Sequence, residues 1–148
     1  MTLDATDKAI IAALQRDGRT PYAAIAETVG LSETAVRNRV KRLTDAGVMQ
    51  IVAVTDPGQL GFARQAMIGL RASGDFEAVA TALSELPEVD YVVVTVGSYD
   101  VLAEVVCVDD AHLLELVSKR IRAIDGVRET DTLVYLKLQH ETYAWGVR

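Results

Sequence analysis

The stretch whose reading decides the fold is Leu31-Ser-Glu-Thr-Ala-Val-Arg-Asn-Arg-Val-Lys-Arg-Leu43. Ser32 follows Gly30-Leu31 and reads as an N-cap, its hydroxyl oxygen accepting from an amide the helix leaves unpaired. Glu33 falls in the first turn, where the positive helix end favours an anion. Val36, Val40 and Leu43 recur at helical spacing and make one apolar stripe. Ala46-Gly47 ends the run, with Gly47 able to take a left-handed conformation just past the last turn. Thr34, Asn38 and Lys41 lie opposite the stripe, flanked by Arg37 and Arg42. Arg39 falls near the stripe's edge and is expected to pair with Asp4 or Asp7, fixing an angle between helices.

A capped cationic helix of this kind fits the major groove of B-DNA. Arg and Lys neutralise phosphates, and Arg and Asn make paired hydrogen bonds to guanine and adenine edges. On its own, a basic run is more often the solvated face of a core helix. The residues before it change the balance. Thr20-Pro21 reads as an N-cap with proline at the first helical position, Ile25, Ala26 and Val29 form a short stripe, and Gly30 closes it. A short helix, a glycine turn and a capped basic helix make a helix-turn-helix pattern. A preceding helix opens at Leu3-Asp4, with Asp7 completing a box-like cap and Ile10, Ile11 and Leu14 as its buried stripe.

The chain has 148 residues, half of them apolar, with a net charge of −6. That composition is globular, and the length allows one domain or two small ones. Apolar runs fall short of a membrane span, and the N-terminus has no signal-peptide pattern. Cys107 is the only cysteine, so no internal disulfide forms, which fits a cytoplasmic location. Charge is unevenly placed. Residues 1–60 hold seven Lys/Arg against seven Asp/Glu, while residues 61–148 hold eight against fourteen. The first part is neutral with one basic helix; the second is acidic and repelled by phosphate.

Residues 48–55, Val-Met-Gln-Ile-Val-Ala-Val-Thr, read as a strand ended by the turn Asp56-Pro57-Gly58. Three helices with a strand behind make a winged helix-turn-helix over residues 1–60. A unit this small is expected to lean on a partner chain or on the second domain. Residues 61–148 show an internal repeat. Strand 62–71, a helix with Phe76, Val79, Ala80, Leu83 and Leu86 on one face, and strand 89–96 are followed by strand 101–108, a helix marked by Leu113, Val117, Ile121 and Ile124, and strand 127–138. Leu86-Pro-Glu-Val89 and Ile124-Asp-Gly-Val127 occupy equivalent places. Two β-α-β halves make a ferredoxin-like βαββαβ domain, an α+β fold. With both helices on one face, the other sheet face is expected to be covered by a second chain.

Gly97-Ser98-Tyr99-Asp100 lies between the central strands. As turn residues these four are ordinary. As a ligand loop they offer amides to a carboxylate, Asp100 to an ammonium and Tyr99 as an aromatic wall, a set suited to an amino acid. Catalysis finds little support. His112 and His140 have no metal spacing, Cys107 sits in an apolar strand, and Asp109-Asp110 reads as a helix cap. The chain is therefore expected not to be an enzyme and to hold neither metal nor cofactor. A regulatory module docking protein through its N-terminal helices is the alternative, but it would expose apolar anchors where Arg37, Asn38, Lys41 and Arg42 stand. Tyr143 and Trp145 could pack a tail locally or across an interface.

Taken in order, these residues resemble the leucine-responsive regulator (Lrp/AsnC, feast/famine) family of prokaryotic transcription factors. The resemblance runs through Leu3-Asp4, Asp7, Ile10-Ile11, Leu14, Asp17-Gly18-Arg19, Leu31-Ser32, Val36, Arg39 to Leu43, Gly47, Asp56-Pro57, Leu60-Gly61, Leu86 to Val89 and Gly97 to Asp100. It implies dimers assembling to tetramers or octamers through the ferredoxin-like domains. It also implies an amino acid or related metabolite bound between subunits, touching the loop and the last strand. The expected DNA-binding residues are Ser32, Thr34, Arg37, Asn38, Lys41 and Arg42. The expected effector-binding residues are Gly97, Ser98, Tyr99, Asp100, Thr130, Asp131 and Thr132.

Overall fold

The computed structural model describes residues 2–144, 146 and 147; Trp145 lies outside the described residues. The chain divides into two compact units, Met1–Val54 with Gln139–Arg148, and Thr55–Leu138.

The first unit holds α1 (Ala5–Arg16), α2 (Tyr22–Val29) and α3 (Glu33–Asp45). Asp4 and Asp7 form a reciprocal cap at the start of α1. Ser32 caps α3, its oxygen accepting from Ala35 N at 3.2 Å. Gly47 takes φ +68°, and the amides of Gly47 and Val48 close onto the carbonyls of Thr44 and Leu43, which satisfies the last turn. Gly30 ends α2 in the same left-handed region, at φ +69°. Thr20 does not cap α2. Its hydroxyl donates to Asp17 O at 2.7 Å, and Pro21 precedes the helix with no side-chain cap. The core joins Ile10 and Leu14 to Ile25, Ala26, Val36 and Val40, with Tyr22, Leu31 and Met49 against it. Fully burying the Ile, Leu and Val side chains of this set stabilises by about 1.5–3 kcal/mol each.

The expected wing strand is absent. Residues 49–56 carry no ladder, and Ile51, Val52 and Val54 are exposed. Aliphatic, β-branched sequence favours an extended backbone, but a strand exists only where a second strand meets its amides and carbonyls. Among the described residues none does. The division between units also falls before the Asp56-Pro57-Gly58 turn, so the 3-10 turn Pro57–Leu60 belongs to the second unit.

The second unit is β1 (Arg64–Ala72), α4 (Phe76–Ser84), β2 (Val89–Val94), β3 (Val101–Cys107), α5 (Asp110–Glu115) and β4 (Val127–Val134). The sheet order is β2-β3-β1-β4 with every neighbouring pair antiparallel. Ala66, Ile68 and Leu70 of β1 and Val101, Ala103, Val105 and Cys107 of β3 bury their side chains with Val79 and Leu83 of α4 and Leu113, Leu116 and Ile121. Alternation sends Met67, Leu102, Glu104 and Val106 to the other face, where Gln65 bonds Glu104 and both Tyr91 and Leu133 are half exposed.

The final helix departs from its expected stripe. After Glu115 it widens into a π-helical segment, Leu116–Ile121. The wider turn puts Leu116, outside the expected stripe, fully into the core beside Ile121, while Val117 packs against that core only partly buried. Asp109 caps α5 through His112 N at 2.7 Å, and Asp110 pairs with Arg64. His112 is largely covered. Its Nε2 lies 3.0 Å from Glu88 Oε1, which also accepts from Arg120 at 2.6 Å. The connection before β2 is thereby latched to the last helix.

Candidate nucleic-acid interface and small-molecule cleft

α3 presents two sets of polar side chains, and the structure separates them. Arg39 and Arg42 turn toward α1. Arg39 Nη1 donates to Asp4 Oδ2 and Asp7 Oδ1, each at 2.7 Å. Arg42 Nη2 donates to Asp7 Oδ1 at 2.7 Å and Oδ2 at 2.6 Å. Asp7 is 1% exposed and is the only charged residue in the core among those described. The Asp7 backbone amide and then the Arg39 guanidinium hold Asp4 below the usual carboxylate range, and the hydrogen bonds to Asp4 and Asp7 shift Arg39 up in turn. Arg39 meets the carboxylates expected of it, whereas Arg42, expected on DNA, also turns to Asp7. Spacing along the helix could not show that Arg42 reaches the same buried acid.

Ser32, Thr34, Arg37, Asn38 and Lys41 are all exposed. Ser32's oxygen is engaged by its cap, while Thr34 and Asn38 make no side-chain hydrogen bond among the described residues. Arg37 Nη2 donates to Glu33 Oε1 at 2.7 Å, and its guanidinium carbon sits 5.4 Å from the centre of the Tyr22 ring. Lys41 Nζ lies 2.5 Å from Asp45 Oδ2. Both are exposed i, i+4 pairs, which contribute little and open readily. α3 therefore offers a polar face with two exposed cations, Arg37 and Lys41, and buries Val36, Val40 and Leu43 on its other side.

The second unit carries a cleft of about 250 Å³ lined by Gly69, Arg71, Tyr99, Glu129, Thr130 and Asp131. Strand register builds it: Gly69 stands opposite Asp131, and Arg71 opposite Glu129. Glycine is required at 69. A Cβ there would come within 2.7 Å of the Tyr99 ring. The Tyr99 hydroxyl donates to Asp131 Oδ2 at 2.5 Å, and that hydrogen bond pushes its pKa up, keeping the phenol protonated. Arg71 pairs with Glu129 at 3.2 Å and donates from Nε to Ser98 O at 3.0 Å.

Of the expected effector residues, Tyr99, Thr130 and Asp131 line this cleft, Thr130 without its hydroxyl, which is engaged on the other face of the sheet. Asp100 is committed elsewhere. Its Oδ2 accepts from Ala72 N at 2.8 Å and its own amide donates to Leu70 O at 2.9 Å, stitching the loop to β1. Gly97 and Ser98 are exposed beside the cleft but do not line it. Thr132 pairs with Ile68, and Thr130 with Leu70, both on the helix-covered side; the Thr130 hydroxyl accepts from Arg122 Nε at 2.9 Å. Their side chains thus face away from Asp131, because neighbours along a strand point to opposite faces. Gly69, Arg71 and Glu129 were missed. Only the pairing of β1 with β4 brings them to Tyr99.

A larger groove of about 360 Å³ lies between α1 and α2, lined by residues that include Ala9, Ala13, Ala24 and Arg16. Its two threonine hydroxyls, Thr20 and Thr28, are already bonded to backbone carbonyls. Among the described residues no cluster of side chains suits a metal ion, and no helix is long and apolar enough to cross a membrane. Cys107 is fully buried, and burial pushes its thiol up, away from the reactive thiolate.

Comparison with known proteins bears on both sites. Residues 3–44 match the model of an AsnC-type helix-turn-helix domain, and residues 64–148 match a C-terminal dimeric alpha+beta barrel domain. The HTH-type transcriptional regulator FL11 of Pyrococcus furiosus is 34% identical over 95% of this chain and 93% of its own. The HTH-type transcriptional regulator LrpA of Pyrococcus horikoshii is 33% identical over 91% of this chain and 97% of its own. Among solved structures, E. coli AsnC superposes with a TM-score of 0.80 at 28% identity, covering 95% of this chain and 97% of that one. A transcriptional regulator of Neisseria meningitidis, solved as an L-Met complex, reaches 0.82 at 28% identity over 97% and 96%.

Proposed function

Since the chain belongs to the Lrp/AsnC family of helix-turn-helix transcriptional regulators, we propose that it acts as a dimer or larger assembly that reads DNA through α3 and responds to an amino acid. The observation that carries the DNA reading is the split of α3's cations. Arg39 and Arg42 tie the helix to α1, which leaves Thr34, Arg37, Asn38 and Lys41 on the exposed face. Arg37 and Asn38 suit base edges; Thr34 and Lys41 suit phosphates. Arg42 spends one nitrogen on Asp7 and is half exposed, so it supports the helix first and touches a phosphate second. Two such helices in a dimer meet half-sites about one helical turn apart, on an imperfect palindrome.

The uncovered sheet face, with Tyr91, Leu102, Val106 and Leu133, is the surface by which the second units pair. Dimer formation would also shelter Ile51, Val52 and Val54. The effector sits in the cleft at Tyr99 and Asp131. Asp131 and Glu129 face the ammonium, and Arg71 faces the carboxylate. The L-Met complex of the Neisseria relative supports an amino acid as the class of ligand.

Selection of genomic fragments by the purified protein, with and without each amino acid, tests the whole reading. Enrichment of a palindromic site that one amino acid strengthens or weakens is the expected result. Retention of no fragment at low salt would refute DNA binding. Calorimetry with the same amino acids would separately refute the effector cleft if heat of binding survived Asp131→Asn.

A further inference from the structure

We infer that Tyr22 and Glu33 are positioning residues for base recognition, holding the Arg37 guanidinium in one direction before DNA arrives. The inference rests on the reading that α3 enters the major groove. An arginine on the exposed face of a helix normally samples many rotamers, and each must be lost when its fork settles on a guanine edge. Arg37 is held from two sides. Glu33, one turn back on α3, takes Nη2 at 2.7 Å. Tyr22, the first residue of α2, stands with its ring 5.4 Å from the guanidinium carbon.

The two restraints differ in kind. Glu33 is 51% exposed and moves with α3, so by itself it leaves Arg37 loosely held. Tyr22 belongs to another helix and packs against the core of the first unit. A cation above its ring is attracted by the negative face of the π system. The direction of the fork therefore reports the packing of α2 on α3. Lys41 has no such second restraint. Its partner is Asp45 on the same helix, and a point charge reading phosphate needs no fixed fork. Within α3's exposed face, Arg37 is thus the cation prepared for a directional contact.

The test uses the full chain and a DNA site selected by it, with every base pair of the half-site varied singly. Arg37→Ala is expected to flatten the preference at one base pair. Tyr22→Phe keeps the ring and should keep that preference whole. Tyr22→Leu keeps apolar volume and should lose about two- to fivefold of the preference at that same base pair, the range of an exposed cation–π contact, with other positions unchanged. Combined with Arg37→Ala it should add nothing. Glu33→Ala, an exposed change that folding tolerates, should lose part of the same preference. Unaltered preference in both Tyr22→Leu and Glu33→Ala, or an even loss of affinity at every base pair, would overturn the positioning role. If Arg37→Ala itself alters no base preference while DNA is still bound, the groove reading of Arg37 fails and the positioning role with it.

Discussion

Asp7 is the residue on which the orientation of α3 depends, and Asp7→Ala is the most direct perturbation of it. The carboxylate is 1% exposed and accepts from two arginines: once from Arg39 at 2.7 Å and twice from Arg42 at 2.7 and 2.6 Å. Removing one partner from a buried ion pair costs about 3–5 kcal/mol when the other charge stays buried. Here the arginine side chains are 28% and 50% exposed, so water can reclaim them. Arg39 also keeps Asp4. Those two facts lower the expected loss to about 2–4 kcal/mol. Native-state hydrogen exchange on the full chain, read at amides of α1 and α3, is the suitable assay, because a melting curve would mix the two units. Protection in α1 and α3 should fall by that amount while β1 and β3 stay unchanged. Asp7→Asn retains one acceptor and should fall roughly half as far. A loss below about 0.5 kcal/mol, the level of an ordinary surface change, would refute the reasoning. It would mean that Ile10, Leu14, Val36 and Val40 set the helix angle alone.

Other expectations follow from single contacts. Lys41→Ala should weaken all DNA sequences alike and shallow the salt dependence by about one unit; an unchanged slope would take Lys41 off the phosphates. Gly69→Ala must displace the Tyr99 ring, since its Cβ would stand within 2.7 Å of ring carbons. That parts Tyr99 from Asp131 and should abolish amino-acid binding measured by calorimetry while leaving DNA affinity without ligand intact. Glu88 supplies a pH signature. Burial pushes its carboxyl up, but hydrogen bonds from His112 and Arg120 outweigh that and hold it below the usual range. A lowered native pKa means the unfolded chain binds the proton more readily. Its contribution is then present at neutral pH and lost as the pH falls below about 4.3. Glu88→Gln should be less stable near neutrality, with the gap to the parent closing in acid; parallel curves down to the acid transition would count against the latch.

Much of this architecture was legible along the chain because it is written in local chemistry. Ser32 and Asp4 announce helix starts through oxygens that accept from amides three residues on, and Asp7 reaches back to the amide of Asp4. The alternation of Val101, Ala103, Val105 and Cys107 marks a half-buried strand without reference to its partners. The misreadings share a cause. Residues 48–55 have strand chemistry but no partner among the described residues. The Leu116–Ile121 segment winds one residue wider than the period used to read it. Thr20 answers Asp17, not the helix after it.

For the sites the limit is sharper. Loop residues Gly97 to Asp100 stand out by composition, yet a carboxylate that looks free in sequence, Asp100, turns out to hold the amide of Ala72. The cleft belongs to Gly69, Arg71, Glu129 and Asp131, residues about sixty positions apart that become neighbours through antiparallel register. What the amino-acid order determined unaided was the three helices of the first unit, the repeat of the second, the caps at Asp4 and Ser32 and the cationic character of α3, because each depends on groups within a turn or two of one another. What only tertiary structure decided was which charges remain available. Arg42 and Asp100 lost their freedom to partners remote in sequence or on another strand, and Tyr99 gained Asp131. Such pairings follow from where folded segments meet in space, and no periodicity along a single segment records that.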